Sequence, residues 1–171
     1  MDNIDNIVID NASLVLRNFS GKAIPPYTPE GQRSFSVKLD VETALQLANA
    51  GWNVKIKALD DGTEVVYLRV YVAFDKPQYP VKIVQLIVSD GVVTNKTYIA
   101  PESVGNIDFL DIENIKLEIR PRVWTNQRGE SGVKAYLKTM YYELVPDIFE
   151  SMYTYNETIN NGTDDTLPFD V

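Results

Sequence analysis

The chain has 171 residues, 44% of them hydrophobic, which is enough for one domain with a real core and too apolar for a disordered or fibrous protein. It contains neither cysteine nor histidine, which excludes disulfides, Cys–His and Ser–His nucleophiles and His-ligated zinc or haem; no P-loop, dinucleotide fingerprint or calcium loop occurs, so no cofactor is implied. The formal charge is −8, from 16 Lys and Arg against 24 Asp and Glu, and taken as an average it speaks against a nucleic-acid partner.

The predicted elements alternate with period two and are rich in Val, Ile and Tyr, the pattern of strands. In chain order, strands are expected at about 13–19, 33–39, 53–59, 65–74, 81–88, 115–124 and 132–144. One helix interrupts them. Asp40 is placed to cap it, Val41, Ala44, Leu45 and Ala48 form its apolar stripe, and Gly51 stands where a left-handed C-terminal residue is wanted. Loops are marked by "GKAIPPYTPEG", "DDGTE", "DKPQYP", "SDGV" and "NQRGESG", the last joining two strands of a hairpin in which Pro121 requires a bulge or an edge. Trp52, directly after the helix, is expected in the core. After Pro146 the stretch "DIFESMY" is amphipathic and reads as a short helix, and from about Asn156 nothing favours regular structure. The organisation expected is a β domain over residues 1–145 and, over 146–171, a helical stretch with an acidic flexible tail. Short strands with one helix favour a small closed or partly closed antiparallel β-barrel of the oligonucleotide-binding (OB-fold-like) type; the helix follows the second or a split second strand rather than the third, which means either an extra N-terminal strand or a different barrel altogether.

The charge is unevenly placed. From Glu143 onward there are seven acids and no Lys or Arg. Between Arg17 and Tyr142 there are 14 acids and 16 cations, a net of +2. A slightly basic body with an acidic tail points towards nucleic acid, because the tail can compete for the body's own cations.

Cations and flat rings share strand faces. In "VVYLRVYVAF" the face opposite Val66, Leu68, Val70, Val72 and Phe74 carries Tyr67, Arg69 and Tyr71. In "IKLEIRPRVW" the face opposite Ile115, Leu117 and Ile119 carries Lys116, Glu118, Arg120, Arg122 and Trp124 if Pro121 does not shift the phase; in the last strand Lys134, Tyr136 and Lys138 lie opposite Val133, Ala135 and Leu137. Arg17, Phe19, Lys22, Tyr27, Arg33, Lys55 and Lys57 are further candidates, of which Phe19 could equally be core. Single-stranded nucleic acid asks for this combination, since cations follow the phosphates while rings stack on unpaired bases whatever the sequence. The competing explanation is ordinary cross-strand pairing on the surface of a structural all-β protein, a virion component or adaptor that binds no nucleic acid. Asp111 and Glu113 could hold magnesium for a nuclease, but two acids before a strand are far more often turn residues, and the chain is read as a binder and not an enzyme.

The segments "LRNFSGK", "EGQRSFSVKLD", "GWNVK", "DIENIKLEIRPRVW" and "GVKAYLKTMYYEL" resemble bacteriophage and prophage single-stranded DNA-binding proteins over about residues 14–144. The resemblance implies an oligonucleotide-binding barrel that coats single strands in replication and recombination. The ending "DDTLPF", with Asp164, Asp165, Leu167, Pro168 and Phe169, is similar to the acidic tails by which bacterial and phage proteins of this kind dock replication or recombination enzymes; it departs from them by continuing through Asp170 and Val171. The expectation is a protein of the cytoplasm, the host's if it is phage-encoded, with no membrane partner and with self-association left open.

Overall fold

A computed structural model describes residues 4–146. The chain runs β1 (Ile7–Ala12), β2 (Leu14–Asn18), β3 (Arg33–Leu39), α1 (Val41–Asn49), β4 (Val54–Ala58), β5 (Glu64–Val72), β6 (Lys82–Ser89), β7 (Val92–Tyr98), a 3₁₀ turn (Val104–Phe109), β8 (Ile112–Thr125) and β9 (Ser131–Leu144). The mainly β architecture with one interrupting helix is as the sequence implies. All nine strands among the described residues belong to one sheet, whose main path is β1-β8-β9-β5-β3-β2, with β4 on β5 and the β6–β7 pair attached to β9.

The ends of that path, β1 and β2, are successive halves of one segment broken only at Ser13, so the sheet curls into a barrel joined by the chain itself and not by a further row of hydrogen bonds. Most pairings are antiparallel, but β9 pairs in parallel with β5 and with β6, where the sequence suggested antiparallel neighbours throughout. The β8–β9 hairpin is the backbone of the barrel. Pro121 sits in β8 beyond the residues that β1 reaches, so its missing N–H falls on a free edge.

The interior is filled by the inward residues of the long strands: Leu68, Val70 and Val72 from β5, Ile115, Leu117 and Ile119 from β8, and Val133, Ala135, Leu137, Met140 and Tyr142 from β9. Trp52 joins them, 4% exposed. Its position comes from the helix end. Gly51 takes φ +95°, its N–H donates to the Ala48 carbonyl, and the Trp52 N–H donates to the Leu47 carbonyl, the paired bonds of a Schellman cap. Val133 N–H then donates to the Gly51 carbonyl, which pins the start of β9 to the helix. At the other end the Asp40 carboxylate accepts from the Thr43 N–H at 2.7 Å, as the capping pattern requires.

The stripe expected on the helix is corrected. Val41 and Leu45 are 67% and 60% exposed, and the inward residues are Ala44 and Leu47. Packing on the barrel decides the rotation of so short a helix, and it brings the small Ala44 side chain and Leu47 inward.

Two strands escape the period-two reading. β1 is an edge whose Ile7 and Ile9 pack inward while Val8 faces out, and β7 is exposed along all seven residues, so no apolar face announces it. Its one sequence signal is the Asp90-Gly91 turn, both residues at positive φ, the hairpin geometry that the "SDGV" loop permits. The helical reading of "DIFESMY" and the acidic tail lie outside the described residues.

Candidate nucleic-acid interface

The outer face of β5, β9 and β8 carries the cations and rings expected of it, and register brings them into rows. Tyr71 stands beside Tyr136, Tyr136 opposite Arg120, and Arg122 opposite Lys134. The Tyr71 and Tyr136 rings are 5.7 Å apart, tilted by 36°. Lys134 lies 4.7 Å and Arg69 5.1 Å from the centre of Tyr71; Arg122 lies 5.6 Å from Tyr136. Arg120 extends the series to Tyr79, 5.0 Å away, from the "DKPQYP" loop. The result is a ladder in which each ring has a cation against it, and each cation is oriented before any ligand arrives while its remaining N–H donors stay available to an anion.

Small residues make room for the ladder. Ser34 and Ser36 of β3 stand opposite Tyr71 and Arg69, and Arg69 Nε donates to Ser34 Oγ at 3.3 Å. At the β8–β9 end, Trp124 faces Gly132, and a Cβ on Gly132 would come within 2.8 Å of the indole. The ring lies over the bare backbone, 38% exposed.

Three clefts run along the ladder. One of about 270 Å³ is bounded by Tyr79, Arg120, Arg122 and Tyr136; the next, about 670 Å³, by Arg33, Tyr71, Phe74, Lys76, Lys134 and Tyr136. The third, about 270 Å³, is lined by Leu16, Tyr27, Lys55, Tyr67 and Arg69. By register Lys38 of β3 and Lys55 of β4 flank Tyr67 from the two neighbouring strands. Tyr27, 81% exposed, reaches this cleft because the 21–31 loop closes on itself, Gly31 N–H donating to the Gly21 carbonyl at 2.7 Å, and because Arg69 donates to Thr28 Oγ1 beside it.

Not every expected residue joins the face. Phe19 is fully buried and stacks on Phe35 at 5.1 Å. The cause is a bulge in β2: Val15 pairs with Ser36 and Asn18 with Ser34, so one extra residue inverts the alternation, turns Phe19 inward and extrudes Leu16. Arg17 is a structural bracket, donating to the carbonyls of Ile107 and Leu110 at 2.7 and 2.8 Å and so holding the 3₁₀ turn. Arg33 is shared, with Nε on the Phe19 carbonyl and its guanidinium 5.4 Å from Phe74 at the cleft wall. Lys138 pairs with Glu118 at 3.2 Å, the sole ion pair among the described residues, so its charge is largely offset. Asn6 and then Lys138 donate to that carboxylate and hold Glu118 below the usual carboxylate range. Lys57 and Lys22 are solvent-facing, Lys57 at the far end of β4 and Lys22 on the 21–31 loop. The tail residues Asp164, Asp165, Leu167, Pro168, Phe169 and Asp170 lie outside the described residues.

Leu16, Lys76 and Tyr79 belong to the clefts, and sequence reasoning misses all three. Leu16 is 67% exposed at φ +52°, a conformation unfavourable for a branched side chain. Nothing local marks it. For Lys76 and Tyr79 a signal exists: a cation and a ring within a proline-bounded loop that comes directly after a ring-and-cation strand.

Among the described residues no cluster of acids or other ligands could hold a metal, and no helix is long and apolar enough to cross a membrane. The β5–β9–β8 face is thus aromatic, cationic and grooved. The sequence matches the model of the putative phage single-stranded DNA-binding domain over residues 1–167, and the chain belongs to that family. Solved structures similar to it include the single-stranded DNA-binding protein of bacteriophage Enc34 as a C-terminal truncation (10% identity, 83% of this chain and 87% of that one, TM-score 0.48). The same Enc34 protein in complex with single-stranded DNA is also similar (10%, 83% and 88%, 0.47), as is gp2.5, the single-stranded DNA-binding protein of bacteriophage T7 (12%, 84% and 94%, 0.37). No curated protein matches the sequence.

Proposed function

We propose that this chain is a non-enzymatic, sequence-tolerant single-stranded DNA-binding protein that coats and protects exposed strands during phage replication or recombination in the host cytoplasm. The observation that carries it is the ladder of Tyr136 and Tyr71 on one sheet face with Tyr79 from the adjoining loop, Arg120, Arg122, Lys134 and Arg69 lying against these rings. Unpaired bases stack on Tyr71, Tyr136, Trp124 and Tyr67; Arg69, Arg120, Arg122, Lys134 and Lys55 meet the phosphates. Duplex DNA, whose base faces are covered, offers these rings nothing. Residues 1–145 act as the binding domain. The segment 146–171 carries Asp147, Glu150, Glu157, Asp164, Asp165 and Asp170 and no Lys or Arg; it competes with DNA for the ladder's cations and docks replication or recombination enzymes.

The test is a titration of fluorescent oligo-dT with the full chain at low and moderate salt, monitored by anisotropy and by tryptophan quenching. Tight binding that weakens with salt, and much weaker binding to a duplex of equal length, is expected. No binding at low salt would leave the structural all-β reading in its place.

A further inference from the structure

We propose that β9 continues the DNA path past Tyr136 onto a second contact site built by Tyr98, Tyr141, Lys82, Lys96 and Lys116 at the base of the β6–β7 hairpin. The inference rests on the single-stranded DNA-binding reading and extends it to a separate surface.

Tyr136 and Tyr141 are an odd number of residues apart, so an unbroken strand would turn them to opposite faces. The strand is broken. Thr139 pairs with Glu118 and Leu137 with Ile119, which leaves Lys138 as an extra residue and inverts the phase. Met140 and Tyr142 therefore fill the core, Tyr142 donating to Gln85 Oε1 at 2.9 Å, and Tyr141 returns to the outer face that holds Tyr136.

Register then assembles a row around Tyr141. Lys116 of β8 stands opposite it, Val84 of β6 beside it, and Tyr98 of β7 beyond Val84. Lys82 lies 5.3 Å from the centre of Tyr141; Lys96 lies 5.7 Å from Tyr141 and 5.6 Å from Tyr98. Three lysines thus surround two rings, and none of the three is ion-paired among the described residues. Glu143, beside Leu86, and Glu113, opposite Glu143 on β8, are the acids that end the row. Tyr98 is 61% exposed on a strand with no buried residue, so core packing does not account for an aromatic there. Lysines held against exposed rings are the same chemistry as the ladder, and the ligand class is the same: a single-stranded polynucleotide. Along β9 the two ring positions are separated by roughly 16 Å at most, taking about 3.3 Å per residue, which is too far for neighbouring stacked bases. The second site is therefore felt only by an oligonucleotide longer than the ladder requires.

The experiment compares labelled oligo-dT of about four and about sixteen nucleotides, the ends of the range for one such barrel, on the full chain and on the Lys96→Ala/Tyr98→Ala double variant, with thermal melts to confirm folding. The longer strand should bind the variant about five- to a hundredfold more weakly, while the shorter changes by less than about twofold. Lys82→Ala/Lys116→Ala should lower the salt slope for the longer strand by about 0.7 for each phosphate left unneutralised. Unchanged affinity for the longer strand, or an equal loss at both lengths, overturns the second site. Failure of the unaltered chain to bind either strand would instead overturn the DNA-binding reading on which it rests.

Discussion

Replacing Tyr136 by alanine removes the ring at the centre of the ladder. On the proposed reading one base then loses its stacking partner, worth about 1–3 kcal/mol, or about five- to 150-fold in affinity at 25 °C. The loss should fall in the upper part of that range, because the same ring is the neighbour of Tyr71 at 5.7 Å and the face beneath Arg122 at 5.6 Å, so two further groups lose their orientation. The folded state should survive. The side chain is only half-buried, and an aromatic pair contributes about 0.5–1.5 kcal/mol against a typical stability of about 5–15 kcal/mol. The assay is anisotropy of labelled oligo-dT at several salt concentrations. Tyr136→Ala should weaken binding at every salt while leaving the salt slope unchanged, since it removes no charge; Tyr136→Phe should bind within about twofold of the unaltered protein, since the ring remains. Combined with Tyr71→Ala, the loss should be less than the sum of the single losses, because the rings touch the same stretch of strand. If Tyr136→Ala binds as tightly as the unaltered protein, or if Phe is as damaging as Ala, stacking at this position is refuted.

Arg122→Ala should behave in the opposite way, reducing the salt slope by about 0.7 if this guanidinium neutralises one phosphate. Gly132→Ala places a Cβ 2.8 Å from the Trp124 indole, so it should shift the tryptophan emission and weaken binding with the melt little changed. Leu16→Gly relieves a left-handed residue that costs an L side chain about 1–2 kcal/mol, and should leave the melting temperature equal or higher while reducing affinity, since Leu16 lines the cleft beside Tyr67. Removing the residues after Asn156 should tighten binding to oligo-dT; a truncated chain that binds no better refutes competition by the tail. Burial pushes the Tyr142 hydroxyl up to about 12 from its ordinary 10.0, so its contribution is present below pH 10 and is lost as pH rises towards 12; Tyr142→Phe should flatten the fall in stability across that window, read by urea melts.

The face of β5 was legible because its alternation is unbroken: Leu68, Val70 and Val72 are all buried, so Tyr67, Arg69 and Tyr71 had to face out. β8 kept its phase through Pro121 for a different reason, the free edge that spares the missing N–H. Where one residue is inserted the period-two rule inverts, and composition does not show the insertion. That single effect misplaced Phe19, hid Leu16 and concealed Tyr141, because the extra residues in β2 and at Lys138 are set by pairing with distant strands. β7 was missed since a strand exposed on both faces has no apolar period to read. The helix was marked well at its ends and poorly on its faces; caps are local chemistry, whereas rotation about the axis is decided by the barrel beneath. Loops posed a similar difficulty. Tyr27 stood out as an aromatic among prolines, but its approach to Arg69 depends on the closure between Gly21 and Gly31.

The most direct test of the interface is photo-crosslinking of the full chain to oligo-dT carrying 5-iododeoxyuridine, with the linked peptides mapped by mass spectrometry. Crosslinks should fall on Tyr67 and Tyr71 of β5, Trp124 of β8 and Tyr136 of β9, and should disappear when excess unlabelled oligo-dT is added. Crosslinks confined to residues away from this face, such as the exposed Phe109, with none on those four, would contradict the assignment of the ladder as the DNA-binding surface.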